Sequence, residues 1–552
     1  MKYSLGIDFG SLSGRALLVS CEDGREVCEA VYEYPHGVCD RFVPDTDIPL
    51  EADFALQHPL DYLGVLEHAI PEVISRSGVS PDDIAGVGVD FTSCTMLPVY
   101  KNGAPLCLDP RFSRDPHAYA KLWKHHAAQA QATRINETAK ARGEEWTDRY
   151  GGFIDSEWFF PKLLETLEKS PEVYLAADHF IDAGDYIVWQ LTGELSRSYT
   201  FAAYKSMYNK ENGFPSPDFF AALDPRMEKA ADEKLVKKML PVGALAGRVT
   251  ARMAALTGLR EGTPVAAATL DAHAAAPALG AVHDGDMFAV MGTSMPMLLV
   301  SSRFDRVPGI CGVVEDGIVP GLYGYEAGLC CMGDHFAWFC ENMMPGEYKN
   351  EAEKRKMPPA AYMSELAAAL SAGESGIIAL DWWNGNRSTL IDANLSGLFV
   401  GMTLSTRPEE LFRALVEATA FGAKHIIGNY RRHGVEVRDF YACGGIARKN
   451  PFLMQVYSDV LGMKIKVPES TQTPARGAAI FGAAAAGVYP DVFAASEAMK
   501  SPCEKVYEPN GANTEAYGEL FAEYERLYDY FGRGENNVMK KLRRRKSEAK
   551  GK

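Results

Sequence analysis

The chain has 552 residues, too many for one compact core at roughly 100 to 200 residues per domain, so two large domains or more are expected. Hydrophobic residues make up 47% and charged residues 24%, which excludes a fibrous or globally disordered chain. A net charge of −16 repels phosphate backbones and anionic lipid, so neither nucleic acid nor a membrane surface is an expected partner.

The longest run free of polar side chains, about 478–489, falls well short of the ~20 residues that a bilayer span needs. The opening MKYSLGIDFG carries Asp8 where a signal peptide would be apolar, and the expected location is cytoplasmic. The 11 cysteines are scattered through apolar runs, which suits reduced thiols, and no pair has zinc-finger spacing.

In chain order, residues 3–9 read as a buried strand, 10–14 as a turn rich in Gly and Ser, and 15–19 as the returning strand. Residues 84–89 form a second apolar strand that runs into DFTSCTM. A helix is predicted over 118–142, then a mixed region to about 238, then a helix followed by a strand over 245–270. At 286–291 an apolar strand leads into the turn 292–294 and returns over 295–300, repeating the layout of the first hairpin and pointing to two related domains.

Thr406 with Glu409 is a capping-box signal, and Leu411, Leu415, Ala418 and Phe421 continue a helical stripe. Gly444 and Gly445 separate an apolar strand from the helical NPFLMQVYSDV. Tyr517, Leu520, Phe521, Tyr524, Leu527, Tyr528 and Phe531 give a last amphipathic helix, and after Gly534 the chain becomes a basic tail.

Neither GxxxxGK[ST] nor a strand-to-helix GxGxxG occurs, so a phosphate must be held some other way. Small turns expose backbone N–H groups, and two such tips facing each other would grip a polyphosphate from both sides. Asp8 ends an apolar strand, where it either steadies the turn or holds the waters of a Mg²⁺.

Asp271 is a lone carboxylate in VAAATLDAHAAAPALGAV and reads either as a general base or as a helix N-cap. His273 is a rival base whose apolar setting better fits a core histidine. Lys205 and Glu326 sit in bare surroundings that suit either sugar hydroxyls or partly buried ion pairs. The glycine pair allows a flat base to approach backbone, though a plain turn needs it equally.

Together these segments resemble the FGGY family of carbohydrate kinases in the actin-like ATPase superfamily. GIDFGSLSGR is similar to the first phosphate loop, MGTS to the second, YACGGIARKN to the adenosine-side turn and LDAHAA to the segment with the catalytic aspartate. DFTSCTM, KLWKHHAAQ, AAYKSMY, GYEAG, DWWNGNRS and QTPARGAA are closest to the branch acting on L-ribulose, whereas xylulose and glycerol kinases usually carry a Gln-containing motif in place of DFTSCTM. Ser11 stands where that family usually has Thr, which keeps the hydroxyl.

The resemblance implies an α/β fold of two actin-like (ribonuclease H-like) ATPase domains flanking a deep interdomain cleft. Residues 1–275 would be mainly sugar-binding, 276–534 mainly ATP-binding, and 535–552 a solvated basic tail. The implied reaction is phosphorylation of a ketopentose by MgATP, L-ribulose before D-ribulose, xylulose or ribitol, with a non-kinase actin-like ATPase as the remoter alternative. It implies Asp271 as general base, and Ser93, Lys205, Asp271 and Glu326 as sugar contacts. It assigns Asp8, Gly10, Ser11, Ser13, Arg15, Gly292, Thr293, Ser294, Gly444, Gly445 and Asn450 to MgATP, with Asp8 toward Mg²⁺ through water. A homodimer is compatible with it.

Overall fold

The computed structural model describes residues 1–550. They form two compact units, and neither is a continuous stretch of chain. The first comprises Met1–Val282, Val313–Gly324 and Gln472–Ser501; the second comprises His283–Gly312, Tyr325–Thr471 and the described residues from Pro502 onward. The split into 1–275 and 276–534 expected above therefore differs from the compact units by three segments, 276–282, 313–324 and 472–501, that pack in the first unit.

The sheet of the first unit runs Leu245–Arg248, Pro264–Ala266, Ile84–Phe91, Tyr3–Phe9, Ser13–Ser20, Glu26–Glu33, with Thr269–Leu270 also pairing Ile84–Phe91. Tyr3–Phe9 is antiparallel to Ser13–Ser20 and parallel to Ile84–Phe91. Its residues from Ser4 to Phe9 are all buried, as an apolar run in a central strand requires. The helix Thr473–Ala485 lies directly on this sheet: a Cβ at Gly6 would stand 1.8 Å from Ala475 O, and one at Gly88 1.8 Å from Ala478 O. A Cβ at Gly477 would stand 1.6 Å from Ala274 O in the next helix, Asp271–Leu279. The small residues of QTPARGAA and of the strands thus allow backbone-to-backbone packing that any side chain would block.

A second apolar core in this unit gathers Phe54, Met96, Phe159, Phe160, Leu163, Phe180 and Phe220 around the buried helix Phe159–Lys169. Here the sequence reading needs correction. Residues 118–142 hold a helix only over Gln129–Arg142, because Ala120–Lys121 is claimed as a strand by Leu56–Gln57 and Met96–Val99. Residues 245–270 run strand, helix, strand: Leu245–Arg248, Ala251–Thr257 and Pro264–Ala266.

In the second unit Asp286–Val290 is antiparallel to Met295–Ser301 and parallel to Asp439–Cys443, the same arrangement as in the first. The long helix Pro408–Arg432 starts one residue later than the capping signal implied, with Glu410 rather than Glu409 accepting from the Arg407 N–H at 2.6 Å. Helix Gly511–Gly532 buries Tyr517, Tyr524 and Tyr528, as its spacing predicted. The basic tail is not simply solvated. Lys and Arg are good helix formers, and Val538–Lys550 is helical, with Met539 buried and Lys540 paired to Asp392 at 2.5 Å. No helix among the described residues is long and apolar enough to cross a membrane.

Candidate active site

In the first unit three chain segments deliver carboxylates to the same end of adjacent strands. Asp8 is in register with Asp90 on its parallel neighbour and with Arg15 on its antiparallel one. Thr269 pairs with Asp90 and Leu270 with Phe91, so the next residue, Asp271, emerges beside them. Asp271 is the first residue of helix Asp271–Leu279, where the helix dipole favours a negative charge. Leu270 occupies the N-cap position, so the N-cap alternative for Asp271 does not describe its place. Its Oδ1 accepts from the Ala272 N–H at 2.6 Å, and the residue stays partly exposed.

Asp8 is nearly buried and its Oδ2 lies 3.2 Å from Arg15 Nε. Burial raises its pKa, and the Arg15 charge opposes that rise. Asp90 is fully buried, and neither carboxylate oxygen receives a hydrogen bond from a donor. Its pKa lies well above the ordinary carboxylate value, through burial first and then through the charge of Asp8, with Asp271 adding to it. Converging hard oxygen ligands of this kind fit a hydrated Mg²⁺, whose positive charge would relieve the repulsion. Sequence reasoning passes over Asp90 as a site residue, although like Asp8 it ends an apolar strand.

The tip of the first hairpin is held by Gly10 N–H to Ser13 O at 2.9 Å and by Gln57 Nε2 to Ser11 O at 2.8 Å. Arg15 Nη1 donates to Gln472 Oε1 at 2.9 Å. Ser93 lies in the turn that follows Ile84–Phe91, its Oγ 3.3 Å from Cys94 Sγ. Lys205 ends helix Tyr199–Lys205, 6% exposed, with Nζ 5.3 Å from the centre of the Trp158 ring. His273 is buried edge-on to Tyr204 at 4.5 Å, the setting of a core histidine.

In the second unit the tip Gly292, Thr293, Ser294 closes through Gly292 N–H to Ser294 O at 3.1 Å. Thr293 O accepts from Met332 N–H at 2.9 Å. The glycine turn sits alongside: Met291 N–H donates to Cys443 O at 2.8 Å, and a Cβ at Gly444 would stand 2.6 Å from Met291 O. Gly444 has φ +94°, which a side chain would strain, and the space a Cβ would occupy at Gly445 is open. Asn450 caps helix Pro451–Leu461, accepting from Leu453 N–H at 3.0 Å and donating to Ser364 Oγ at 3.0 Å. Glu326 is mid-strand in Tyr323–Leu329 and partly exposed.

Comparison with known proteins identifies the family. The N-terminal domain of the FGGY family of carbohydrate kinases matches residues 3–278, and the C-terminal domain of that family matches residues 287–486. The chain belongs to the FGGY family of carbohydrate kinases, with a two-domain α/β architecture of the actin-like ATPase type. It is 48% identical over 553 residues to the ribulokinase of Anoxybacillus flavithermus, covering 100% of this chain and 98% of that protein. It is 47% identical over 549 residues to the ribulokinase of Mycolicibacterium smegmatis, covering 99% and 97%. Among solved structures it is similar to the xylulose kinase of Rhodospirillum rubrum, with TM-score 0.78 at 22% identity over 96% of this chain and 98% of that one. The glycerol kinase of Plasmodium falciparum with ADP gives TM-score 0.74 at 16% identity over 95% and 98%.

Proposed function

We propose that the protein transfers the γ-phosphoryl group of ATP to the terminal hydroxyl of L-ribulose, giving L-ribulose 5-phosphate and ADP, as a cytoplasmic enzyme of L-arabinose breakdown. The observation that carries this reading is the placement of Asp271 at a helix start beside Asp8 and Asp90. One carboxylate stays partly open to solvent there while two others are shielded at the strand ends. The ribulokinase names of the full-length relatives supply the sugar.

In this mechanism Asp271 accepts the proton of the attacking hydroxyl, and Ser93, Lys205 and Glu326 orient the sugar. Phosphoryl transfer depends chiefly on alignment and on stabilising charge spread over the phosphoryl oxygens, so most residues act by position. Asp8, with Asp90 behind it, would hold Mg²⁺ through water, and the metal supplies neutralisation of phosphate charge. Backbone N–H groups of the tips at Gly10 to Ser13 and Gly292 to Ser294, with Arg15, serve the phosphates. Gly444 and Gly445 admit the adenosine, with Asn450 fixing the helix behind them.

Steady-state kinetics with MgATP and a panel of L-ribulose, D-ribulose, L- and D-xylulose and ribitol tests the reading. The highest kcat/KM is expected for L-ribulose. A higher value for any other acceptor would overturn the substrate assignment, and no sugar-dependent ADP release would overturn the kinase reading.

A further inference from the structure

The strands Gly312–Glu315 and Tyr323–Leu329 are neighbours in the sheet of the second unit, yet the segment Val313–Gly324 that joins and partly forms them packs in the first. Glu326, assigned above to the sugar, stands two residues past the end of that segment. Helix Tyr199–Lys205 and the residues after it fasten the segment. Thr200 Oγ1 donates to Gly317 O at 3.1 Å and Tyr204 Oη donates to Gly324 O at 2.7 Å, both bonds buried. Lys210 pairs with Asp316 and, at 3.1 Å, with Glu315, and its Nζ lies 5.3 Å from the centre of the Tyr199 ring. The Asp316 carboxylate also accepts from Gly321 N–H, so one acid both closes the turn and ties it to Lys210.

Tyr204 is the centre of this arrangement. It is fully buried, its ring meets His273 of helix Asp271–Leu279 edge-on at 4.5 Å, and it precedes Lys205, whose Nζ lies 5.9 Å from the same ring. A Cβ at Gly317 would stand 2.5 Å from Tyr204 Cε2 and one at Gly324 2.4 Å from Tyr204 Oη, so both glycines are needed for the ring to come this close. Packing alone asks only for a ring, and Phe supplies one without a hydroxyl to satisfy in the interior. The hydroxyl of Tyr204 finds its acceptor on the strand of Glu326. Successive residues of a strand face opposite ways, so Glu326 projects from the same face as Gly324, the face against which Tyr204 lies. One side chain thus packs on the helix that begins at Asp271, bonds the strand that carries Glu326 and adjoins Lys205.

We infer that Tyr204 is a positioning residue of the sugar site, which sets the place of Glu326 relative to Lys205 and Asp271 by holding Gly324. Lys210 is the second fastening of the same segment, at its far end. This rests on the sugar-kinase function proposed above.

The test compares wild-type enzyme with Tyr204→Phe, Lys210→Met, Glu326→Gln and each of the first two combined with Glu326→Gln, in steady-state kinetics with MgATP and the best acceptor of the panel, with thermal melting to show which variants are folded. Tyr204→Phe keeps the ring and loses the bond to Gly324. It is expected to raise KM for the sugar by about tenfold while KM for ATP stays within about twofold. Placed on Glu326→Gln, the same change is expected to add less than about twofold, because the group it positions is already disabled. A merely structural role would raise KM by the same factor in both backgrounds. Lys210→Met, which breaks a partly exposed ion pair, is expected to raise the sugar KM by about threefold and to show the same loss of effect on Glu326→Gln.

An unchanged sugar KM in folded Tyr204→Phe, or an equal rise with and without Glu326→Gln, would overturn the inference. Should Tyr204→Phe fail to fold, the Lys210→Met pair decides by the same two criteria. A wild-type enzyme that phosphorylates no sugar would refute the proposed function and this inference with it, whereas an active wild type whose sugar KM ignores Glu326→Gln refutes the inference only, since Tyr204 would then have no sugar contact to position.

Discussion

The two hairpins share a topology and differ in chemistry. Around Tyr3–Phe9 the tip is surrounded by side chains that carry charge or donate hydrogen bonds: Asp8, Arg15 and Asp90 at the strand ends, Gln57 and Trp123 against Ser11. Around Asp286–Val290 the tip is Gly, Thr and Ser beside a glycine turn, held by backbone bonds alone. The same strand arrangement thus supports a site that works through ionisable side chains and a site that works through exposed backbone. Substitutions should divide accordingly, with losses of turnover in the first and losses of nucleotide affinity in the second.

The largest expected effect falls on the first. Asp271→Asn should lower kcat by about 10² to 10⁴, the range for losing a general base, with ATP binding little changed. Rapid-quench or coupled kinetics with calorimetry of ATP binding checks this, and near-normal turnover would shift the role to another group.

A buried carboxylate in each unit sharpens the contrast. Asp90 has other carboxylates for neighbours, whereas Asp381 in the second unit is buried with the Tyr524 hydroxyl donating to it at 3.1 Å. Burial pushes the Asp381 pKa up to about 7. The folded state therefore favours the protonated form, so its contribution to stability is complete below about pH 4, where the unfolded chain is protonated too, and is lost as pH rises toward 7. Asp381→Asn should remove this dependence, with a gain over wild type that grows between pH 4 and pH 8 to at most about 4 kcal/mol. Denaturant titrations at the two pH values measure it, and a gain independent of pH would contradict the assignment.

Lys205→Met and Glu326→Gln should each weaken ketopentose binding by about 1 to 3 kcal/mol and leave ATP binding unaltered. Calorimetry with sugar and with ATP separates the two. For the second hairpin, Gly292→Val is the cleanest probe. A Cβ there meets nothing nearer than Ser294 O at 3.9 Å, so the protein has room for it, and a lost affinity for nucleotide would reflect the ligand's need for bare backbone. The expected loss is about tenfold, or 1.4 kcal/mol, read by nucleotide binding at unchanged melting temperature.

Much of this was legible in the chain. Both hairpins follow from apolar runs broken by Gly and Ser, and their shared layout is borne out by matching antiparallel and parallel partners. Asp271 stood out because nearly every neighbour is small and apolar. Asp90 did not, because DFTSCTM drew attention to its hydroxyls, and only the register with Asp8 shows a second acid facing the first. The burial of Lys162 could not be read from FFPKLLETLEK, since a lysine at helical spacing looks solvated until the helix is known to be buried on all sides. The return of Gln472–Ser501 to the first unit was equally hidden, because close packing of Gly6, Gly88 and Gly477 is a long-range fact.

The smallest effect is expected at the basic terminus. Its first turn is docked: Met539 is 5% exposed, Lys540 pairs with Asp392, and Arg543 Nη1 donates to Ala393 O at 2.5 Å. Beyond that the helix is exposed wherever its side chains are described. Deleting residues 541–552 removes the Arg543 contact and leaves Met539 and Lys540 in place, so the second unit should lose about 1 kcal/mol, the worth of a partly exposed hydrogen bond. Because the removed segment touches no residue of either hairpin among its recorded contacts, kcat and sugar affinity should stay within about twofold of the full chain, as for other weakly docked termini. Kinetics and melting of the truncated protein check both figures. A loss of turnover larger than the loss of stability explains would mean that the terminus acts on one of the two hairpins, and the division of labour between them would have to include it.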